Sequence, residues 1–135
     1  MLEIAVGEYR FAARLEEEAA PQTVAAFRRL LPLESRLIHV RWSGESCWIP
    51  FGELEVGVGA ENATSYPAPG ELLLYPGGIS ETELLFPYGP TCFASKAGQL
   101  AGNHFATILE GAERLADLGP KVLWEGAKPI RFTEQ

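Results

Sequence analysis

Two pairs of side chains in the sequence carry groups of the kind that catalyse hydrolysis. Cys92 follows the stretch PYGPT, and His104 begins a predicted strand twelve residues later. An imidazole within hydrogen-bond reach of a thiol generates a thiolate nucleophile near neutral pH. Glu81 and Glu83 form a second, acidic pair. Neither spacing is diagnostic, so an inert, semi-buried Cys92 thiol remains the alternative.

His104 and Arg41 each allow a functional and a structural interpretation. On its predicted strand, His104 faces away from Phe105, Thr107 and Leu109, so it is either a site residue or a hydrogen-bonded histidine at a strand edge. Arg41 is either an anion clamp or a salt-bridged surface arginine. The sequence therefore offers Arg41, His104 and Cys92 as catalytic candidates, and the choice stays open.

Aromatic residues accumulate at predicted strand ends and loops, where a tyrosine or tryptophan can present both an apolar body and a polar tip to a ligand. The loop around Tyr75-Pro76-Gly77-Gly78, together with Glu81 and Glu83, is predicted to form one wall of a cleft. The loop 62–66 is predicted to form the opposite wall. Alternatively, this connection only turns a corner of a barrel. The predicted ligand contacts are Trp48, Asn62, Tyr66, Tyr75, Glu81, Tyr88, Asn103 and His104.

Composition limits the classes of protein. A chain of 135 residues is predicted to form one domain, 1–135. The formal net charge of −7 argues against binding to nucleic acid, which needs clustered Lys and Arg. No apolar run approaches the ~20 residues of a membrane span. We expect a cytoplasmic protein with free thiols, because two cysteines are too few for a disulfide framework.

Metal ligands are scarce. The chain has two histidines on separate predicted strands, and a single aspartate, Asp117, accompanies its many glutamates. No paired cysteine spacing occurs. We therefore expect no metal site and no cofactor.

Apolar periodicity predicts many short strands and two helices. Pro21 suits a first helical position, and Val24, Phe27, Leu30 and Leu31 share one helical face. The predicted strands are Leu2–Val6, Tyr9–Leu15, Ser35–Trp42, Glu45–Pro50, 54–58, Leu72–Tyr75, Leu84–Phe86, Asn103–Leu109 and a short pair within Lys121–Phe132. The predicted helices are Pro21–Leu31 and Glu110–Leu118, the latter closed by Gly119-Pro120. This order favours a mainly β protein, a closed or nearly closed barrel whose ends are capped by the helices.

Several stretches resemble cyclophilin-like proteins. The segments APQTVAAFRRLLPLESRLIHVRW and AGNHFATILEG resemble parts of cyclophilin-type proteins, and His104 stands where such proteins carry a cleft-facing glutamine. The segments GELLLYPGG, LLFPYG, ILEGAERLADL and IRF resemble a bacterial and archaeal group of small cyclophilin-like proteins of unassigned function. The resemblance covers nearly the whole chain and implies a closed barrel of about eight strands capped by two α-helices.

The chain departs from the isomerase pattern at two positions. Val40 stands where cyclophilin isomerases carry the arginine that polarises the prolyl amide, and Arg41 follows one place later. A slip of one residue turns a side chain to the opposite sheet face, so Arg41 points away from the cleft unless a bulge in the strand rotates it inward. Pro50 replaces the glutamine of the isomerases. The sequence therefore favours a module that binds a small molecule or short peptide in a barrel-side cleft. A divergent prolyl isomerase or a small hydrolase is the alternative, and whether the protein is an enzyme is left open.

Exposed aromatic residues and the predicted strand 54–58 also suggest a surface that a second subunit covers. We therefore expect a homo-oligomer.

Overall fold

Eight strands close into an antiparallel barrel in the computed structural model, which describes residues 1–135. The strands are β1 Leu2–Val6, β2 Tyr9–Leu15, β3 Leu33–His39, β4 Gly44–Gly52, β5 Ala63–Thr64, β6 Glu71–Tyr75, β7 Thr82–Thr91, β8 Ala94–Ser95, β9 Gly98–Gln99, β10 Gly102–Glu110 and β11 Lys128–Glu134. The barrel order is β2-β1-β11-β3-β4-β7-β6-β10, and pairing of β10 with β2 closes it. The short β5 pairs with the start of β10, and β8 and β9 form a separate hairpin. The helices are α1 Pro21–Arg28 and α2 Leu115–Glu125, so the prediction of a mainly β closed barrel with two helices is confirmed.

Alternation along β7 separates the inside of the barrel from the outside. Successive side chains of a strand point to opposite faces. Leu84 and Phe86 belong to the main core of the barrel, whereas Leu85 belongs to a second apolar cluster. Glu83 shares the parity of Leu85, so it lies on the outer face of the barrel.

Helix α1 seals one end of the barrel through Phe27. This fully buried ring lies 4.7 Å from Phe105 and 5.4 Å from Phe132 between ring centroids. Pro21 takes the first helical position as predicted, and the helix ends at Arg28 rather than Leu31. The C-terminal turn 29–31 continues the chain toward β3.

The predicted strand 54–58 is wrong, because residues 53–62 form a loop. Gly57 has φ +72°, which interrupts an extended strand. Val56 is nevertheless buried, and the Thr82 hydroxyl donates a hydrogen bond of 2.6 Å to the Leu54 carbonyl. The apolar alternation here reflects a packed loop.

The prediction that Gly119-Pro120 closes the second helix is also wrong. Both residues lie inside α2, which begins at Leu115 after a short 3-10 turn. A Cβ atom on Gly119 would come within 2.3 Å of the Tyr88 ring, so glycine allows the helix to lie directly on the barrel. The missing Pro120 N–H costs one helical hydrogen bond, which this packing offsets. The sequence predicted a pair of short strands within Lys121–Phe132. In the structure, residues 121–125 belong to α2 and residues 128–132 belong to β11.

A bulge interrupts the alternation of β10. The register against β6 shifts between His104 and Ala106, so that Phe105 and Ala106 both enter the core. The bulge also brings His104 and Thr107 to one side, contrary to the predicted alternation, and their side chains are hydrogen-bonded.

Neither helix has the length and apolar character needed to cross a lipid bilayer.

Candidate functional site

A cleft of about 340 Å³ opens on the outer face of the barrel over β4 and β7. Trp48 and Glu83 form part of its floor. Its walls come from the β3–β4 connection, from residues 80–81 and from the β8–β9 hairpin. The lining residues are Ile38, His39, Val40, Arg41, Trp42, Ser43, Trp48, Ser80, Glu81, Glu83, Ala94, Ser95 and Lys96.

An apolar cluster outside the barrel supports this cleft. Leu73, Tyr75 and Leu85 come from the outer faces of β6 and β7, and Phe93 and Leu100 close over them from the following loop. Val40 and Trp48 pack against the same cluster. The cleft therefore has a rigid, dehydrated base.

The loop after Tyr75 is held as one wall of the cleft. The Tyr75 hydroxyl accepts hydrogen bonds from the backbone N–H groups of Ile79, at 3.1 Å, and Ser80, at 3.4 Å. Gly77 and Gly78 have φ +91° and +125°, a region that disfavours other residues. The long Pro/Gly connection thus both turns the chain from β6 to β7 and presents residues 80–81 to the cleft.

Glu83 is the most unusual side chain of the site. It is 5% exposed, directly opposite Pro50 on β4 and Tyr75 on β6. No hydrogen bond or ion pair within the chain reaches its carboxyl group, which lines the cleft. Burial, and then the charge of Glu81, raise the pKa of Glu83 to about 8. A carboxyl group at this position costs free energy unless something outside the chain partners it.

Arg41 lines the cleft, so of the two orientations that the sequence left open it takes the one toward the cleft. Strand β3 ends at His39, and strand alternation therefore does not govern the position of Arg41. Its guanidinium group lies 5.2 Å from the centroid of the Trp42 ring. Arg41, Lys96 and Glu81 form no ion pair within the chain, although all three line the same cleft.

His39 links the cleft to the end of the barrel. Its Nδ1 lies 2.8 Å from the Val40 carbonyl oxygen, which can only accept, so Nδ1 carries the proton. Nε2 then accepts a hydrogen bond of 2.7 Å from the Tyr88 hydroxyl. Burial raises the pKa of Tyr88, which keeps this hydroxyl protonated. These two contacts fix the orientation of the His39 ring at the cleft.

Asn103 is a buried structural junction at a different place. Its Oδ1 accepts from the Glu61 N–H at 3.0 Å, and its Nδ2 donates to Thr23 Oγ1 and the Gly59 carbonyl. The Glu61 carboxylate accepts from the Thr23 N–H and hydroxyl at the start of α1, which lowers the pKa of Glu61. Asn103 therefore ties the loop 53–62 to the helix that seals the barrel.

His104 belongs to a surface hydrogen-bonded chain. Its Nε2 contacts Thr107 Oγ1 at 2.8 Å, and the Thr107 hydroxyl donates to Glu16 at 2.6 Å. Hydrogen bonds from Thr107 and Arg14 lower the pKa of Glu16 despite the opposing effect of its burial. Asn62 donates to the His104 carbonyl. The exposed Cys92 forms no hydrogen bond with His104.

The structure thus brings Arg41, Trp48 and Glu81 together among the predicted site residues. Tyr75 and Tyr88 support the cleft from beneath, through the 79–80 loop and His39. The remaining predicted site residues do not line this cleft, and a functional role for them stays a prediction: Asn62, Tyr66, Cys92, Asn103 and His104. No group of three or more His, Cys, Asp or Glu side chains is arranged to hold a metal ion.

Sequence reasoning missed that His39 and Lys96 line the cleft and that Glu83 is buried. The parity of Glu83 with Leu85 was the available signal, since both must lie on the same face of β7.

The fold and this cleft define a small, closed β-barrel protein with an outward-facing site. The chain matches the family described as "Protein of unknown function (DUF3830)" over residues 2–134, and it belongs to that family. No curated protein matches the chain significantly.

Two solved structures have a similar fold. One is McbB in complex with tryptophan, with a TM-score of 0.75 and 18% identity; the match covers 100% of this chain and 45% of McbB. The chain therefore spans less than half the length of McbB. The other is a hypothetical protein, AF2241, from Archaeoglobus fulgidus, with a TM-score of 0.63 and 20% identity, covering 99% of this chain and 93% of that one. At these identities the similarity shows the fold alone.

Proposed function

We propose that this protein is a cyclophilin-like module that binds a small molecule or short peptide in the cleft over β4 and β7. The observation that carries the proposal is Glu83, a residue that is 5% exposed, has no hydrogen bond or ion pair within the chain, and opens its carboxyl oxygens only to the cleft. A fold keeps such a group at a cost in stability where the group has a function.

The size and lining of the cleft support the proposal. Its volume of about 340 Å³ suits a small organic ligand, and ligand clefts combine apolar walls with a few polar groups. Ile38, Val40 and Trp48 supply apolar surface, while Arg41 and Glu83 supply charge.

Replacing Trp48 with Ala is expected to weaken binding of cleft ligands at least tenfold, because it removes the largest apolar surface of the floor. Titration calorimetry with hits from a fragment screen measures this loss. Tryptophan, the molecule named with McbB, is a rational first probe. Trp124→Ala is the matched control, because Trp124 is 83% exposed and is not among the lining residues. Equal affinity in both variants, or a screen without hits, would contradict the proposal.

Prolyl isomerisation is a second candidate, since Arg41 lines the cleft and could donate to a prolyl amide. Pro50 offers no side-chain hydrogen bond, so we expect no acceleration above background in a protease-coupled proline assay at micromolar protein. Robust isomerase activity that disappears in Arg41→Ala would overturn the binding-module proposal. A hydrolase using Glu81 and Glu83 would be revealed by turnover of a bound ligand.

We also propose a cytoplasmic homo-oligomer that does not bind nucleic acid. The support is two free cysteines, the net charge of −7, and the exposed side chains of Tyr66 and Ile79 on loops. Light scattering that gives a monomer mass at high micromolar concentration would remove the oligomer.

A further inference from the structure

We propose that the ligand of this cleft carries a cationic ammonium group on an apolar body, and that Glu83, assisted by Glu81, binds this group. The inference rests on the proposed function and specifies the ligand class. Two features of the cleft lining carry it: four charged side chains and two tryptophans. These residues are Arg41, Lys96, Glu81, Glu83, Trp42 and Trp48.

No cationic side chain of the protein forms an ion pair with Glu83. Arg41 and Lys96 line the same cleft, yet neither forms an ion pair with Glu83 or Glu81. A buried carboxyl group requires hydrogen-bond donors or a positive charge. The protein supplies neither, and the carboxyl oxygens are open to the cleft, so a donor group on a ligand would take the place of cleft water. An ammonium group brings both, with its positive charge and its N–H donors.

The tryptophans favour a cation with an apolar body. The Arg41 guanidinium group already lies 5.2 Å from the Trp42 ring centroid, so this ring is placed to attract positive charge. Trp48 packs on the apolar cluster beneath the cleft and offers a surface for the uncharged part of the ligand.

Binding should also release a proton. With its pKa raised to about 8, Glu83 holds a proton at pH 7 in the free protein, and an ammonium ion favours the carboxylate. The other titratable or charged groups that line the cleft are Glu81, Arg41, Lys96 and His39. A neutral ligand would instead leave the Glu83 proton in place as a hydrogen-bond donor.

The test is titration calorimetry with three probes of similar size: 2-phenylethylamine, 2-phenylethanol and phenylacetate. In the unmodified protein at pH 7, the amine should bind at least tenfold more tightly than the alcohol. Titrations in buffers of different ionisation enthalpy should show release of close to one proton with the amine only. In Glu83→Gln, amine affinity should fall at least tenfold while alcohol affinity changes little, and Trp124→Ala should behave as the unmodified protein.

Equal or tighter binding of the alcohol or phenylacetate would overturn this inference and leave the proposed function intact. Absence of binding by all three probes at millimolar concentration would also overturn it, whereas the proposed function fails separately, when the fragment screen yields no cleft ligand. A cooperative thermal unfolding transition of Glu83→Gln is the check that the variant is folded. Amine binding that survives unchanged in the folded variant would contradict the role of Glu83.

Discussion

Glu83→Gln is expected to stabilise the protein at alkaline pH and to have little effect at pH 4. The pKa of Glu83 is about 8 in the folded protein, against 4.5 for the reference carboxyl group. The folded state therefore holds this proton more tightly than the unfolded state. The stability due to the protonated group is complete below pH 4.5 and is lost as the pH rises through 8.

The expected size of this effect is large. One pKa unit corresponds to about 1.4 kcal/mol, so ionisation of Glu83 lowers the free energy of unfolding by on the order of 5 kcal/mol above pH 8. Urea unfolding of the two proteins at pH 4, 6, 7 and 9 measures the difference. We expect the difference to grow steadily with pH.

Glu55→Gln is the control for removal of one carboxylate, because Glu55 lies exposed on the loop 53–62 and outside the cleft. Its stability difference should stay nearly constant with pH. If Glu83→Gln behaves in the same way, Glu83 is hydrated or paired, and the argument for a binding site loses its main support.

Phe27→Ala is expected to lower the free energy of unfolding by about 3–5 kcal/mol. The ring is fully buried and packs edge-on against Phe132 and tilted against Phe105. Its removal leaves a cavity where α1 seals the barrel. Urea unfolding at pH 7 measures the loss.

Trp124→Ala is the matched aromatic truncation. Because Trp124 is 83% exposed on α2, its removal from the monomer should cost less than about 0.5 kcal/mol. A cost below about 1 kcal/mol for Phe27→Ala would show that α1 is not an integral part of the core.

Much of the barrel followed from residue periodicity. The alternation of apolar residues in β1 and β2 predicted strands with one buried face. The apolar stripe of α1 around Phe27 predicted a helix with one buried face. The same reasoning failed at Val56, where a buried loop residue imitates a strand, and at Gly119-Pro120. In α2 the direct contact of Gly119 with Tyr88 outweighs the local tendency of these residues to end a helix, and no local pattern reveals such a contact.

The site was less predictable than the fold. Trp48 and Glu81 were identified by residue type near a predicted loop. For Asn103, by contrast, the sequence did not reveal that its amide joins Glu61, Thr23 and Gly59. Such a role depends on three segments that are distant in sequence. The burial of Glu83 likewise depends on β4 and β6, which flank β7 and come from other parts of the chain.

The three tryptophans allow the most direct test of the binding cleft. Each indole N–H gives its own resonance in a proton–nitrogen correlation spectrum, and single Trp→Phe variants assign them. Addition of an apolar amine such as 2-phenylethylamine, or of another cleft ligand from the fragment screen, should shift the resonances of Trp42 and Trp48, which line the cleft, and leave Trp124 unchanged. Shifts confined to Trp124, or no shift with any fragment of the screen, would contradict a binding cleft on this face of the barrel.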